Sequence, residues 1–392
     1  MKELLTSIAV GMSGLQARNA INGNFNLTAS DGYYNALAYG VVNDGITDTT
    51  AKLQDLLDLV HITGGVIYIP QGTYLLRTIT LYNNVILVGD YGTILKSSHA
   101  EPLLTITSVF GGLILRNIIL DGNNIGTIGL YMQQAAYFSI IDCSVQKFTD
   151  CGIDLNGSLV GTIERTYIYL NTIGINGRKC EATAVSANLV EIKNCGIRNC
   201  STYGIKWNGG SHLKVVGCDV ETNGTLGNAS TGAIYYKDWE SGAGLFLKDS
   251  WFEVNNGICV YIDDNNVIGH VNTIENCQFY GNIVNANHAD IKIIGSTRYN
   301  RLLLRSCFLQ DPISIIVSGS LASVVNISSI IYNSPTINNN GVYSNPIDMI
   351  GLITPVNLSV APNNPVEGVM YSNITDHHLY YYNGTGWIQL DN

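Results

Sequence analysis

The chain has 392 residues, of which 46% are hydrophobic, only 13% are charged and 41 are glycine, and its formal net charge is −10. The acidic balance and the lack of a basic run argue against nucleic acid as a partner and against binding to an anionic membrane. No uninterrupted apolar run reaches the length of a bilayer span, so membrane insertion is not expected. The composition suits a large core and many tight turns.

Residues 1–36 differ from the rest of the chain and form the first predicted segment. Apolar residues at helical spacing predict a short helix that ends near the Asn-rich stretch 22–26. A cleaved signal peptide is not favoured, because Lys2 is offset by Glu3 and polar residues interrupt the apolar run. We interpret this segment as a docking or assembly element that is not part of the main fold.

Residues 37–100 are predicted to begin a solenoid. Asp48 or Thr49 can cap a helix that extends to about His61. Its apolar face consists of Leu53, Leu56, Leu57 and Val60. Such a helix would cover the open end of a coil, which otherwise exposes strand edges and apolar interior. The first predicted strands follow at 66–69, 78–81 and 85–88.

A phrase then repeats from residue 101 to about 312: a small residue, an apolar residue two places later and, in several units, a Gly-Ile step. The small position is filled by Cys143, Thr166, Cys195, Cys218, Ser250, Cys277 and Cys307, and the apolar position by Val145, Ile168, Ile197, Val220, Phe252, Phe279 and Leu309. A period in this range indicates one supersecondary unit stacked on its own copies. The runs are short, rich in Val, Ile, Tyr and Thr, and bounded by Asn, Gly and Asp. They therefore predict an all-β parallel β-helix.

The cysteines of this repeat are predicted to fill a narrow interior as small hydrophobes. A zinc site is less favoured, because it would need clustered cysteines with Cys or His partners at short spacing. Nine cysteines cannot all pair within the chain, so we interpret them as free thiols of a protein folded in a reducing cytoplasm. No metal and no cofactor are predicted.

Two further segments follow the repeat, which is predicted to end at Asp311-Pro312. Residues 313–360 form a β-rich extension, interpreted as a trimer contact, with candidate strands at 313–318 and 323–332. Residues 361–392 form a small β module, in which Asn383-Gly384 is a typical hairpin turn. The predicted domains are thus 1–36, 37–312, 313–360 and 361–392.

Three regions resemble known families. The runs Tyr39–Thr50 and Gly64–Tyr74, in this order and at this separation, resemble the start of the pectate-lyase-like β-helix superfamily, which includes phage tailspikes and relatives of the polygalacturonases. This resemblance implies a right-handed, single-stranded parallel β-helix. The phrases Glu367–Tyr371 and Tyr382–Trp387 are similar to tip modules of phage tail fibres and spikes, and Asn19–Asn26 is similar to the starts of virion appendage proteins.

The resemblance implies a phage tail spike or fibre that recognises host-surface polysaccharide or another receptor. Such a protein would be a homotrimer, would dock to tail, baseplate or neck proteins through the N-terminal segment, and would be assembled into the virion in the host cytoplasm. Three alternatives remain open. In the first, the appendage is also a polysaccharide depolymerase, with a glycosidase favoured over a lyase. In the second, the chain is a secreted, pectinase-like bacterial enzyme. In the third, it is a purely structural virion subunit.

A glycosidase needs two carboxyl groups about 5 Å apart for retention, or about 6.5–9.5 Å apart for inversion. Aligning 233–238 with 258–263 stacks Asp238 on Asp263, and Glu240 shares that face. These three residues are the predicted catalytic set, although Asp and Asn after a strand more often form turns. The predicted glycan-binding residues are four aromatic residues: Trp239, Trp251, Tyr236 and Tyr261.

A lyase would need a basic residue beside acidic groups that bind calcium. The sequence offers only one such group, Arg178-Lys179 with Glu181. The motif set of the polygalacturonases is incomplete, since Asp263-Asp264 and Gly269-His270 lie too close together. Lyase chemistry is therefore the weaker of the two enzymatic expectations.

Overall fold

The computed structural model describes residues 32–107, 111–228, 230–237, 244–263, 270–282, 289–295, 300–310, 315–327, 329–331, 336–338, 342–344, 356–362, 365 and 370–391. Within them, three parallel sheets of 13, 12 and 11 strands wind into a right-handed solenoid. From Gly65–Ile69 to Thr336–Asn338, each turn contributes one strand to each sheet in the order sheet 1, sheet 2, sheet 3. The predicted all-β parallel β-helix is confirmed.

The strands of the three sheets have the following bounds. Sheet 1 contains Tyr33–Asn35, Gly65–Ile69, Val85–Gly89, Ile114–Arg116, Ala136–Ile141, Leu159–Glu164, Asn188–Lys193, Leu213–Val216, Leu245–Lys248, His270–Glu275, Asn300–Arg305, Ala322–Ile327 and Val342–Ser344. Sheet 2 contains Asp44–Asp48, Gly72–Leu76, Thr93–Ser97, Ile119–Asp121, Ser144–Gln146, Tyr167–Tyr169, Gly196–Arg198, Asp219–Glu221, Trp251–Glu253, Gln278–Tyr280, Phe308–Leu309 and Ile330–Ile331. Sheet 3 contains Ile79–Thr80, Leu104–Thr107, Ile128–Gln133, Cys151–Asn156, Ile173–Arg178, Tyr203–Asn208, Gly232–Lys237, Ile258–Asp263, Ala289–Ile294, Ile315–Ser318 and Thr336–Asn338.

The small position of the repeat lies in the interior, at the start of each sheet-2 strand. Its seven predicted residues are at most 5% exposed, and their apolar partners two places later are fully buried. All nine cysteines are buried free thiols, and burial raises the pKa of Cys143 to about 11. Burial also raises the pKa of Cys151 and Cys200, and the burial of all nine side chains agrees with their predicted role as small packing groups.

The corner between sheets 1 and 2 is a single residue in the left-handed conformation. Asn117, Asp142, Asn194, Asp249 and Asn276 occupy it with φ between 51° and 58°. Asn and Asp tolerate this region better than other residues with a side chain. Gly217, at φ 63°, occupies the same corner position in its own turn, and these stacked positions form the corner column. The residue after the corner is buried because the chain turns directly into the interior; it is small in the seven repeat units named above and is Ile118 after Asn117.

The predicted capping helix spans Thr50–Val60, after a short 3₁₀ helix at Ala36–Tyr39, and all four residues of its predicted apolar face are buried. Of the two predicted caps, Asp48 bonds the helix start, because its Oδ1 accepts from the backbone N–H of Thr50 at 3.0 Å. The hydroxyl of Thr49 instead accepts from the backbone N–H of Val42 at 2.8 Å. Thr49 therefore ties the helix start to the preceding loop.

Both predicted ends of the coil need correction. Tyr33–Asn35 pairs in parallel with Gly65–Ile69, so sheet 1 begins inside the segment assigned to docking, whose residues 1–31 lie outside the described part of the chain. Ile315–Ser318 and Ala322–Ile327 continue sheets 3 and 1, so the predicted end of the coil at Asp311 is wrong. Ser329 continues the small position, since its Oγ accepts from the backbone N–H of Cys307 at 3.0 Å. Ser329 lies 22 residues after Cys307, a shorter step than any between the predicted small positions, and its unit was missed.

A separate four-stranded sheet ends the described chain. It consists of Val356–Leu358, Met370–Asn373, Leu379–Tyr382 and Trp387–Gln389, with antiparallel pairing among the last three strands. The Asn383 side chain accepts from the backbone N–H of Gly386 at 2.8 Å, so the predicted turn is stabilised by its own asparagine. Of the described helices, none has the length and apolar character to cross a bilayer.

Candidate functional site

The register of sheet 3 decides what lies beside Asp263. Lys237 is the residue paired with Asp263, and Tyr235 is paired with Tyr261. The predicted stacking of Asp238 on Asp263 is therefore wrong by one residue. The error came from matching Ala233 with Ile258, whereas Cys259 takes the equivalent place. Asp238, Trp239 and Glu240 lie outside the described residues.

Asp263 is held by a cation and a phenol on the neighbouring strand. The Nζ of Lys237 lies 3.4 Å from its Oδ2, and the Tyr235 hydroxyl donates to the same oxygen at 2.8 Å. The side chains of Lys237 and Asp263 are 16% and 13% exposed. Among the described residues, Asp263 thus has a charge-assisted pair rather than the second carboxylate that a glycosidase needs.

Three tyrosines on adjacent turns lie beside this ion pair. The ring of Tyr235 lies 5.6 Å from that of Tyr203 and 5.3 Å from that of Tyr261, and the Nζ of Lys292 lies 5.0 Å from the Tyr261 centroid. Burial raises the pKa of Tyr261 to about 12, so its hydroxyl stays protonated at neutral pH. Tyr261 is partly buried but lies on the outer face, because it alternates with the buried Val260 and Ile262 along its strand.

Tyr236 takes the opposite direction. It is 2% exposed and belongs to the core, because side chains alternate along a strand and Tyr235 already points outward. The prediction that Tyr236 contacts a glycan is therefore wrong, and the neighbouring Tyr235 and Tyr203 occupy the outer face instead.

A second charged pair lies on the same face several turns earlier. Arg178 donates from Nε to Oδ1 of Asp154 at 3.0 Å and from Nη2 to Oδ2 at 2.9 Å. The Asp154 side chain is 5% exposed, and burial raises its pKa despite the opposing effect of Arg178. The Asn156 amide donates to the Tyr131 hydroxyl at 2.9 Å beside this pair.

Sequence reasoning noted Arg178 but missed Asp154 as its partner. In three units the residue that directly follows the Gly-Ile step points outward on sheet 3: Asp154, Asn176 and Lys206. The residue after the Gly-Ile step would therefore have identified the outer face of sheet 3 from the sequence in these units. The Gly257-Ile258 step lies two residues earlier in the register than the other Gly-Ile steps, so it does not mark the outward position of its strand.

The outer face of sheet 3 carries more cations than carboxylates, in a chain whose net charge is −10. Between Ile128–Gln133 and Ala289–Ile294, the described strands present Arg178, Lys206, Lys237 and Lys292. The carboxylates of these strands are Asp154 and Asp263, together with Asp290, which is fully buried. The face is therefore locally positive and lined with tyrosine.

Trp251 lies on a different face from the one predicted. It begins the sheet-2 strand Trp251–Glu253, so it does not lie beside Asp263 on sheet 3. Its indole Nε1 donates to Oε2 of Glu253 at 3.0 Å, and its ring is 37% exposed. It shares the outside of sheet 2 with Tyr280, whose ring lies 6.3 Å away.

The described residues offer no evident metal centre. No group of three or more His, Cys, Asp or Glu side chains is placed among them to hold an ion. Arg178 pairs with Asp154 in the sheet rather than with Glu181, so the predicted basic cluster for a lyase is not the arrangement seen.

Two family models match this chain. One, described as rhamnogalacturonase A/epimerase, pectate lyase-like, matches residues 33–177, and one for the right-handed beta helix region matches residues 128–298. An SPbeta prophage-derived uncharacterized protein of Bacillus subtilis strain 168, YomE, is 33% identical over 157 residues, which cover 34% of this chain and 24% of that protein. The chain therefore spans only about a quarter of that relative.

Two solved structures are similar in fold. A mutant tailspike protein of E. coli bacteriophage HK620, in complex with a pentasaccharide, aligns with a TM-score of 0.56 and 12% identity, covering 81% of this chain and 68% of that one. PfbA, a surface adhesin of Streptococcus pneumoniae, aligns with a TM-score of 0.51 and 13% identity, covering 92% and 100%. The predicted pectate-lyase-like, tailspike-like β-helix is thus confirmed as a fold.

Proposed function

We propose that this protein is a phage tail appendage that binds an anionic host-surface polysaccharide along the outer face of sheet 3. The observation that carries the proposal is the ladder of tyrosines and charged side chains on successive turns, centred on Tyr235, Lys237, Tyr261 and Asp263. Parallel strands repeat every ~4.8 Å, so this face offers hydrogen-bonding groups along an extended chain rather than in one pocket.

The chemistry of the face matches that of an acidic glycan. Four cations against two outward carboxylates attract carboxylate groups, and the pairs already formed hold Arg178 and Lys237 in place before the ligand arrives. Tyrosine rings present apolar surface and a hydroxyl with little conformational entropy to lose. A neutral face would lack this electrostatic attraction.

The assignment to a virion draws support from several directions. The fold is shared with a phage tailspike whose structure holds a pentasaccharide, and a prophage-derived protein is similar over part of the chain. Residues 19–26 and the C-terminal module resemble segments of tail appendages. Buried free thiols suit a protein assembled in the host cytoplasm. We further propose a homotrimer that docks to tail proteins through residues 1–31.

The test compares two charge reversals. Lys237→Glu alters sheet 3, and Lys214→Glu is its matched control on sheet 1, where Lys214 pairs with Glu191 at 2.6 Å. Binding to acidic capsular polysaccharides from a strain panel is measured at low and high salt. We expect Lys237→Glu to weaken binding by about tenfold or more, and salt to weaken wild-type binding, with Lys214→Glu close to wild type.

Equal effects of the two charge reversals on binding, or binding that does not change with salt, would refute the proposal that sheet 3 binds the anionic polysaccharide. Sedimentation tests the assembly separately, because a monomer at micromolar concentration contradicts the homotrimer without bearing on the glycan face.

A second candidate function, depolymerisation, is favoured by one observation. Asp154 is a buried carboxyl on the proposed glycan face, and burial raises its pKa above the ordinary aspartate value, as in many groups that act as acids or bases in catalysis. Release of new reducing ends from bound polysaccharide would establish the activity. Asp154→Asn should abolish that release while binding persists, and saturable binding by the wild type without any release would exclude it.

A further inference from the structure

An open depression lies at the corner between sheets 1 and 2, away from the face discussed above. It encloses about 370 Å³ and is lined by Gly217, Cys218, Asp219, Asp249, Ser250, Trp251, Asn276 and Gln278. Its volume is within the range of small-molecule sites, which is ~300–1,000 Å³. The depression therefore has room for a ligand the size of a sugar ring.

The depression coincides with the glycine in the corner column. Asn194, Asp249 and Asn276 fill the same corner position in nearby turns with polar side chains, whereas Gly217 has none. A Cβ at residue 217 would lie 2.6 Å from the side-chain Oδ1 of Asn194. Gly217 thus adds no side chain to the lining of the depression, to which Asp219 and Asp249 contribute theirs.

Trp251 forms an apolar surface at this depression. Its hydrogen bond to Glu253 fixes the ring orientation, and more than a third of its surface is exposed. Asp249 is also fixed, because its Oδ1 accepts from the Asn276 amide at 2.6 Å. A flat aromatic ring beside preorganised hydrogen-bonding groups can pack against the C–H face of a sugar and bind its hydroxyls.

The surrounding charge selects among sugars. The sheet-2 strands from Ile119–Asp121 to Gln278–Tyr280 carry the carboxylates Asp121, Asp219, Glu221 and Glu253 against one cation, Arg198. Arg198 is itself paired with Asp219 and Glu221. Carboxylates accept hydrogen bonds from hydroxyls but repel acidic groups. The site therefore favours an uncharged sugar.

We propose that the Trp251 depression is a second glycan-binding site, specific for uncharged saccharides and independent of sheet 3. The two sites face different sides of the coil, so one protein can contact two different glycan components of a surface. This inference holds whether or not sheet 3 binds an acidic polymer.

The experiment monitors the indole N–H signal of Trp251 by NMR, assigned with the Trp251→Phe variant. Maltohexaose, cellohexaose and chitohexaose serve as neutral probes at about 10 mM, a range that detects weak sites, and an oligogalacturonate serves as the acidic probe. We expect at least one neutral probe, but not the acidic one, to shift the signal. Trp251→Ala and Gly217→Asn should each reduce that affinity, measured by calorimetry, about tenfold or more.

Gly217→Asn is the sharper variant, because it adds a side chain to the lining of the depression and leaves Trp251 in place. The new Cβ requires the Asn194 side chain to move, but asparagine already occupies this corner at residues 194 and 276 with the same left-handed backbone, so folding is expected to persist and is checked by circular dichroism. Tyr91→Ala, which removes a 91% exposed ring elsewhere, and Lys237→Glu are controls that should leave the affinity within about twofold.

Three results would overturn the proposal. None of the neutral probes shifts the Trp251 signal; the oligogalacturonate shifts it as strongly as they do; or Gly217→Asn, shown to be folded by circular dichroism, binds as the wild type does. A loss of acidic polysaccharide binding in Lys237→Glu would leave this proposal unaffected and would concern sheet 3 alone.

Discussion

Sheets 2 and 3 share one interior but have outer faces of opposite character. Outside sheet 3, Arg178, Lys206, Lys237 and Lys292 outnumber two carboxylates, and tyrosines lie between them. Outside sheet 2, four carboxylates outnumber Arg198, and Tyr167, Trp251 and Tyr280 are between 37% and 45% exposed. The same turn can therefore attract an acidic ligand on one side and exclude it on the other.

The difference shows how a solenoid separates stability from recognition. Inward residues are held by the repeat, since every turn must pack on the next at the same spacing. Outward residues contact side chains of their own strand and of the neighbouring turns, as Trp251 does with Glu253 and Tyr280, so each sheet can change its chemistry independently. Three substitutions test this separation.

The largest effect is expected for Phe252→Ala, which removes an interior ring shared by both faces. Phe252 stacks on Phe279 with centroids 4.8 Å apart, and both are fully buried. Loss of the ring should lower the free energy of unfolding by about 3–5 kcal/mol, measured by urea denaturation. Phe252→Leu, the volume-conserving control, should cost less than about 1.5 kcal/mol. A loss below about 1 kcal/mol for the alanine variant would contradict a common interior.

Arg178→Ala should have an intermediate effect confined to sheet 3. It leaves the buried Asp154 carboxylate without its cation, and because Arg178 is a third exposed we expect a loss of about 2 kcal/mol at pH 7. Without Arg178 the pKa of folded Asp154 rises further above the value in the unfolded chain. The loss of stability in the variant therefore shrinks as the pH falls, because Asp154 becomes neutral in both proteins.

The control for this pair is Arg116→Ala on sheet 1, where the ion pair with Asp142 is more exposed. That variant should change the free energy of unfolding by less than about 1 kcal/mol. If the loss of stability in Arg178→Ala grew as the pH fell, it would contradict the idea that Arg178 stabilises the ionised form of Asp154.

Tyr235→Phe should have the smallest effect. It removes one hydroxyl that donates to Asp263 and leaves the ring in place, so about 1 kcal/mol of stability is at stake. Binding of acidic polysaccharide should weaken, while any binding at Trp251 stays unchanged. Tyr91→Phe, on a ring that is 91% exposed, is the control. Unequal changes in the affinities of the two sites, measured by calorimetry, would support their independence. Equal changes would contradict it.

Much of the interior was predictable from the chain. The small position, its apolar partner and the helix face of Leu53, Leu56, Leu57 and Val60 are all buried as expected. These positions are decided by local alternation and by the exclusion of large or polar groups from a narrow core. The beginning of the coil at Tyr33 and its continuation past Pro312 were missed. The first turn precedes the repeated phrase, and Ser329 fills the small position only 22 residues after Cys307, a shorter step than the others.

The candidate sites were predicted less well than the core. Tyr261 and Asp263 were found on the outer face, but Tyr236 is buried and Trp251 lies on sheet 2. A shift of one residue in register moves every side chain to the opposite face, so a small alignment error exchanges core and surface. Asp154 escaped notice because its partner Arg178 is 24 residues away in sequence and adjacent only in the stack.

The sequence by itself determined that this chain is a parallel β-helix with a capped start, buried free thiols and a small terminal β module. Those features follow from short-range patterns, which one unit repeats and local packing enforces. Only the tertiary structure decided that Lys237 lies beside Asp263, that Arg178 pairs with Asp154, and that Gly217 and Trp251 line one depression. Those contacts join residues from different turns, and their register is set by how the whole coil stacks.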